Sequence, residues 1–158
     1  MRRVSEEVLP ASLPGAEFVA RHGRVDDPLS QIDLERRYPV RAAVLFAVEE
    51  NYRAGLAVHL LRPFRVGDRR AALEVVGELL YQSHAGYGSI GLGCPETDAM
   101  VEAVRELGVG HGLYGARVSG GGSGGTVVVL LERGALPELE RLAGTLVFGL
   151  DGPAPLIA

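Results

Sequence analysis

The chain has no lysine and no tryptophan, and a single cysteine, Cys94, in 158 residues. Each shortage removes a class of chemistry. All sixteen basic side chains are arginine, so the chain cannot supply the phosphate lysine of a Walker motif, the amine of a Schiff base or the strand lysine of a protein kinase. One thiol closes no internal disulfide and builds no multi-cysteine zinc site, which fits a reducing compartment. Long apolar runs are missing as well: stretches such as Thr126–Leu131 fall far short of the roughly 20 residues that cross a bilayer. The opening Met1-Arg2-Arg3 leads into acidic residues, not into the apolar centre of a signal peptide. The expected address is the cytoplasm. Sixteen basic and twenty acidic residues leave a formal charge of -4, and neither sign forms a run, so no nucleic acid and no membrane is expected as a partner.

What is present is enough apolar material, 47% of the residues, to bury one core, in a length that fits one domain spanning 1–158. The first 35 residues read as an irregular wrapping segment, punctuated by Pro10, Pro14 and Pro28 around one short helical stretch at 16–22. From Arg41 onward, Leu45, Val48, Tyr52 and Leu56 recur at spacings of three and four, which predicts a helix ending before Pro63 with this stripe turned inward. A second helix is predicted after Asp68 as N-cap, with Leu73, Val76 and Leu80 inward, Glu74 and Glu78 outward, and its end near His84. Residues 84–94 hold four glycines and read as a loop. A third helix is predicted over Pro95–Leu107, with Glu96 and Asp98 at its positive end and Gly108 as its C-terminal cap. Tyr114, Ala116 and Val118 alternate with Gly115, Arg117 and Ser119 as in a half-buried strand, and the unbroken apolar run Thr126–Leu131 suits a central one. A short helix at 137–142 and a last strand at 146–150 complete the pattern. The expected fold is α+β, a mainly antiparallel sheet packed against helices, compatible with a ferredoxin-like arrangement.

Glycine is abundant, 22 residues, and clusters between 108 and 125. The densest stretch is Gly120, Gly121, Gly122, Ser123, Gly124 and Gly125, more glycine than a plain hairpin requires. Bare backbone of this kind lets several N–H groups converge on an anion; a loose hairpin tip or linker remains an equal alternative on spacing alone. Two familiar patterns match here and fail on context. Gly120, Gly122 and Gly125 satisfy G-x-G-x-x-G, yet a dinucleotide fingerprint opens a helix and Thr126–Leu131 reads as strand. Ser123 sits in G-x-S-x-G, yet a nucleophile elbow also enters a helix and needs a later histidine, whereas His111 is the last. His22, His59, His84 and His111 show no ligand spacing, so no metal site is expected from this chain. His84 suits capping or reaching a ligand, Cys94 a helix-start position, and Glu49, Glu50, Glu96 and Asp98 read as solvated carboxylates. No catalytic residue is assigned.

Taken in order, Gly77-Glu-Leu-Leu-Tyr-Gln-Ser-His84, Gly91-Leu-Gly-Cys-Pro-Glu-Thr-Asp98 and Leu113-Tyr-Gly-Ala-Arg-Val-Ser-Gly-Gly-Gly-Ser-Gly-Gly-Thr126 resemble the C-terminal half of the GHMP kinases. The likeness is strongest to their sugar branch, the L-arabinokinase and galactokinase type, because Arg41 and Glu50-Asn51-Tyr52-Arg53 resemble the helix those kinases place before the Ser-His helix. Asp27-Pro28, Ile32-Asp33 and Tyr38-Pro-Val-Arg41 extend it upstream, so that it covers roughly residues 9–131. The resemblance implies a ferredoxin-like C-terminal domain of a sugar kinase that phosphorylates a monosaccharide with ATP and Mg. It places Gly120, Gly121, Gly122, Ser123, Gly124 and Gly125 beside the ATP phosphates or the sugar, and Ser83 and His84 next to the substrate.

The chain also departs from the family pattern. It has no proline-led glycine and serine phosphate motif, and the family's catalytic Asp and sugar-orienting basic residue belong to the N-terminal half. Phe46 stands where the related helix has histidine, and Ser119 replaces the usual threonine. The resemblance therefore implies half of an active site, inactive alone and needing an ATP-binding N-terminal half, since phosphoryl transfer requires phosphate positioning, charge neutralisation and an oriented nucleophile together. The alternative is a non-catalytic ligand-binding or scaffold module of the same origin, homodimeric to cover its partner-facing surface.

Overall fold

The computed structural model describes residues 8–23, 25, 31–62 and 69–143. Strand β1 (Leu13–Pro14) leads into helix α1 (Gly15–His22) and pairs antiparallel with β2 (Arg37–Tyr38). Helix α2 (Val40–Leu60) follows, then α3 (Arg69–Ser89), α4 (Pro95–Leu107), the hairpin β3 (Leu113–Ser119) and β4 (Thr126–Leu131), and α5 (Leu136–Ala143). The architecture is α+β, as expected, with small antiparallel sheets packed against helices. Among the described residues no helix is long and apolar enough to cross a membrane. The expected strand at 146–150 and the Asp68 cap lie outside the described residues.

The core gathers Tyr81 of α3, Val101 and Val104 of α4, Leu113 and Ala116 of β3, and Ala135. Helix α4 supplies its side chains on one stripe, starts with Pro95 in its first turn and stops at Gly108, whose φ of 63° closes the helix end. Strand β3 differs from simple alternation: Leu113, Tyr114, Gly115 and Ala116 are all buried. The reason lies on its other face, where α3 rests directly on the strand. A Cβ added to Gly77 would stand 2.0 Å from the Tyr114 carbonyl oxygen, and one added to Gly115 would stand 2.4 Å from that of Gly77. Backbone meets backbone, an approach only glycine allows. Tyr114 is the extra residue of a bulge at this point, between the pairs Leu113–Leu131 and Gly115–Leu130.

Two expectations need correction. The stretch 84–94 is not all loop, because α3 continues to Ser89 and takes Gly86 and Gly88 into the helix. Helix–helix packing outweighs the poor propensity of glycine here: the Phe46 ring of α2 lies so close to Gly86 that a Cβ would be 2.6 Å from it. The inward stripe on α2 is also different. Val48 and Tyr52 are 38% and 71% exposed, and the helix instead turns Phe46, Glu50 and Arg53 toward α3. Polar contacts have chosen the face that apolar spacing alone assigned elsewhere.

Leu9 and Gly15 are tied to the residues around the start of α2 by an arginine and main chain. Arg41 donates from Nε and Nη2 to the Leu9 carbonyl at 2.8 and 2.6 Å, and Gly15 N–H donates to Arg36 O at 2.9 Å. The Arg41 bonds hold Leu9 beside the start of α2.

Substitution of either glycine at the α3–β3 crossing separates the two elements. Gly77→Ala is expected to cost about 3 kcal/mol or more in urea unfolding. Gly55→Ala, in α2 with nothing within 4 Å of the new methyl group, is expected to stabilise by about 0.5–1 kcal/mol.

Candidate functional site

The α3–β3 crossing brings the end of α3 beside the end of β3, and the side chains there form one connected network. Glu50 of α2 is its centre. Its Oε1 accepts the Ser83 hydroxyl at 2.7 Å and the Arg117 guanidinium, and its Oε2 accepts Arg53 Nε at 3.0 Å. Burial pushes the Glu50 carboxyl upward, but the hydrogen bonds from Ser83 and Arg53 and the charges of Arg117 and Arg53 outweigh it and hold the group below the ordinary glutamate value. Arg117 also donates from Nε to the Val118 carbonyl at 2.9 Å. Arg53 reaches Glu49 at 3.5 Å, and its buried Nη2 has no hydrogen-bond partner among the described residues, its guanidinium 5.8 Å from the centre of the Phe46 ring.

Ser83 is buried, and its hydroxyl is spent on Glu50. His84, inside α3 rather than at its end, accepts the Val118 N–H at Nδ1 (3.3 Å) and meets Asp98 Oδ1 at Nε2 (3.1 Å). A donor on one side and a carboxylate on the other fit the tautomer with hydrogen on Nε2. His84 therefore ties α3, α4 and β3 together. Cys94 occupies the N-cap position of α4 by backbone conformation, and its thiol contacts Glu96 Oε2 at 2.7 Å.

Beyond Ser119 the chain enters the glycine turn. Gly120, Gly122, Gly124 and Gly125 all have positive φ, as does Ser123 at 59°. That conformation is costly for serine and routine for its neighbours. Gly120, Gly121, Ser123 and Gly125 are exposed, while one flank of the turn leans on residues 87–94. Ser123 N–H donates to Leu92 O at 2.7 Å, and a Cβ on Gly122 would stand 2.6 Å from the Leu92 Cβ. The six residues expected at the turn are together at the surface, and Ser83 and His84 stand behind them as supports of the strand that delivers it.

Glu50, Arg117 and Tyr87 escaped the sequence reading. Glu50 lay in a helix that carries many surface charges, and nothing local marks it as shared between three elements. The signal was Arg117: a charge within the otherwise small and apolar stretch 113–118 requires a partner from another element.

A glycine turn closes the antiparallel hairpin on which α3 and α4 rest. Residues 69–143 match the family of GHMP kinases C terminal. The chain is 37% identical over 130 residues to L-arabinokinase of Arabidopsis thaliana, covering 77% of this chain and 12% of that protein. It is 35% identical over 96 residues to galactokinase of Thermosipho africanus (60% of this chain, 24% of that one) and 37% identical over 92 residues to human galactokinase (54% and 23%). The chain thus spans between 12% and 24% of the length of these three relatives.

The lowered Glu50 carboxyl gives stability that is fully present above its unfolded value, 4.5, and is lost as pH falls through the folded value. Glu50→Gln is expected to destabilise by about 2 kcal/mol at neutral pH. The gap to the unaltered chain should narrow as pH drops below 4.5, measured by urea unfolding across that range.

Proposed function

We infer that this chain supplies the C-terminal part of a sugar kinase of the arabinokinase and galactokinase kind, completed by an ATP-binding N-terminal half, and that its glycine turn approaches the phosphates of the nucleotide. The observation that carries this reading is the exposed turn 120–125, built on the family segment and set in one shape by neighbouring residues. The residues fit a phosphate. Apart from the chain neighbours, no described residue lies within 4 Å of where a Cβ would stand on Gly120, Gly121 or Gly125, so an anion can come against main chain there. They do not fit Mg. Among the described residues no three His, Cys, Asp or Glu side chains converge, and in this reading most ligands of Mg belong to the N-terminal half.

ATP supplies the transferred phosphoryl group. The chain's own contribution is positional: the turn presents its backbone, Ser123 adds a hydroxyl, and the Glu50, Arg117 and His84 contacts fix the strand behind it. Phosphoryl transfer depends chiefly on such placement and on charge stabilisation. The sugar hydroxyl and its activating groups belong to the other half in this reading, and the cytoplasm is where the two would meet nucleotide and sugar.

A dimeric binding module is a second reading, favoured by the exposed apolar residues Val44, Val48, Tyr52 and Val58 on α2. Sedimentation separates the two: the kinase reading expects a monomer that takes up its half, and the module reading a stable dimer.

The chain alone should release no ADP from ATP and sugar. Mixed with a matching N-terminal half it should restore sugar-dependent ADP release, and no release at saturating complement would end the split-kinase reading.

A further inference from the structure

Among the described residues Tyr87 is the one side chain that bonds the glycine turn from outside the hairpin: its hydroxyl donates to the Gly120 carbonyl at 2.9 Å. Its own position is fixed from several sides. The Phe46 ring meets it edge-on at 5.1 Å, and the Arg117 guanidinium, anchored by Glu50, lies 5.5 Å from its ring centre. Its main-chain carbonyl accepts Leu92 N–H at 3.0 Å and Ile90 N–H at 3.3 Å, which folds the chain back so that Leu92 O meets Ser123 N–H at 2.7 Å. One residue therefore reaches the turn twice, through its hydroxyl at Gly120 and through the loop it closes at Ser123. Between those points lies Gly122, where a Cβ would be 3.1 Å from the Tyr87 Cδ1 and 2.6 Å from the Leu92 Cβ.

A turn made almost wholly of glycine has little conformational preference of its own, so an anion-binding shape must be imposed from outside. We propose that Tyr87 is the positioning residue of the glycine turn, fixing through Gly120 and the Leu92–Ser123 bond the backbone shape that receives a nucleotide phosphate. The inference rests on the functional reading given above. Tyr87 need not touch the ligand. Its hydroxyl contributes by restricting the turn before binding, and the Phe46, Arg117 and Glu50 contacts restrict the hydroxyl.

The variant Tyr87→Phe removes one oxygen and leaves the ring between Phe46 and Arg117, so the fold is retained. Two readouts are taken: amide hydrogen exchange at residues 120–125 of the chain, and KM and kcat of the kinase assembled with its N-terminal half. Loss of one net hydrogen bond should speed turn exchange about fivefold with β3 exchange unchanged. It should also raise KM for ATP several-fold while KM for the sugar and kcat stay near their original values. Unchanged exchange in the turn, or an equal rise in both KM values, would overturn the proposal. If turn exchange speeds up but the assembled kinase shows no dependence of KM for ATP on the turn, the phosphate reading fails and Tyr87's hold on the backbone stands as a structural one only.

Discussion

The direct seating of helix α3 on strand β3 is the constraint from which the rest of the arrangement follows. With Gly77 and Gly115 backbone to backbone, no side chain separates the two elements. Ser83 and His84, two turns further along the helix, are then close enough for Ser83 to share Glu50 with Arg117 and for His84 to accept the Val118 N–H. The same seating sets where the hairpin ends and so where the glycine turn meets residues 87–94. A wider crossing would move the turn away from Tyr87 and Leu92 together.

Charge is used sparingly and at the junctions of elements. Glu50 joins α2, α3 and β3, while His84 with Asp98 joins α3, α4 and β3. Breaking either leaves partly buried polar groups without partners, which costs more than the bonds themselves contribute. Such junctions stabilise the packing less than they specify it: they pick one orientation for α2, whose outward face carries Val44, Val48 and Tyr52. The arginine-only basic set suits this use, since a guanidinium can engage a carboxylate, a carbonyl and a ring at once, as Arg117 does with Glu50, Val118 and Tyr87.

Much of this was legible in the sequence where local chemistry decides. Pro95 and Gly108 bounded α4, the alternation at 114–119 marked β3, and the glycine turn stood out by composition. The order of three motifs pointed to the GHMP kinases, and the match of residues 69–143 agrees. What local patterns could not give were contacts between distant segments. Gly86 reads as loop because its helical state depends on Phe46, forty residues away, and Glu50 reads as a surface charge because Ser83 and Arg117 are invisible from its own helix. The stripe through Val48 and Tyr52 misled for a related reason: apolar spacing reports a face that can be buried, not the one that polar partners select.

The claim at the centre of this account is that the turn's main chain lies against nucleotide phosphates when the kinase is complete. Backbone amide shifts of residues 120–125, followed while a non-hydrolysable ATP analogue is added to the chain assembled with its N-terminal half, test it most directly. The account predicts large, saturable shifts at Gly120, Gly121 and Gly125 that AMP does not reproduce. Saturation of the nucleotide site with those amides unmoved would contradict it.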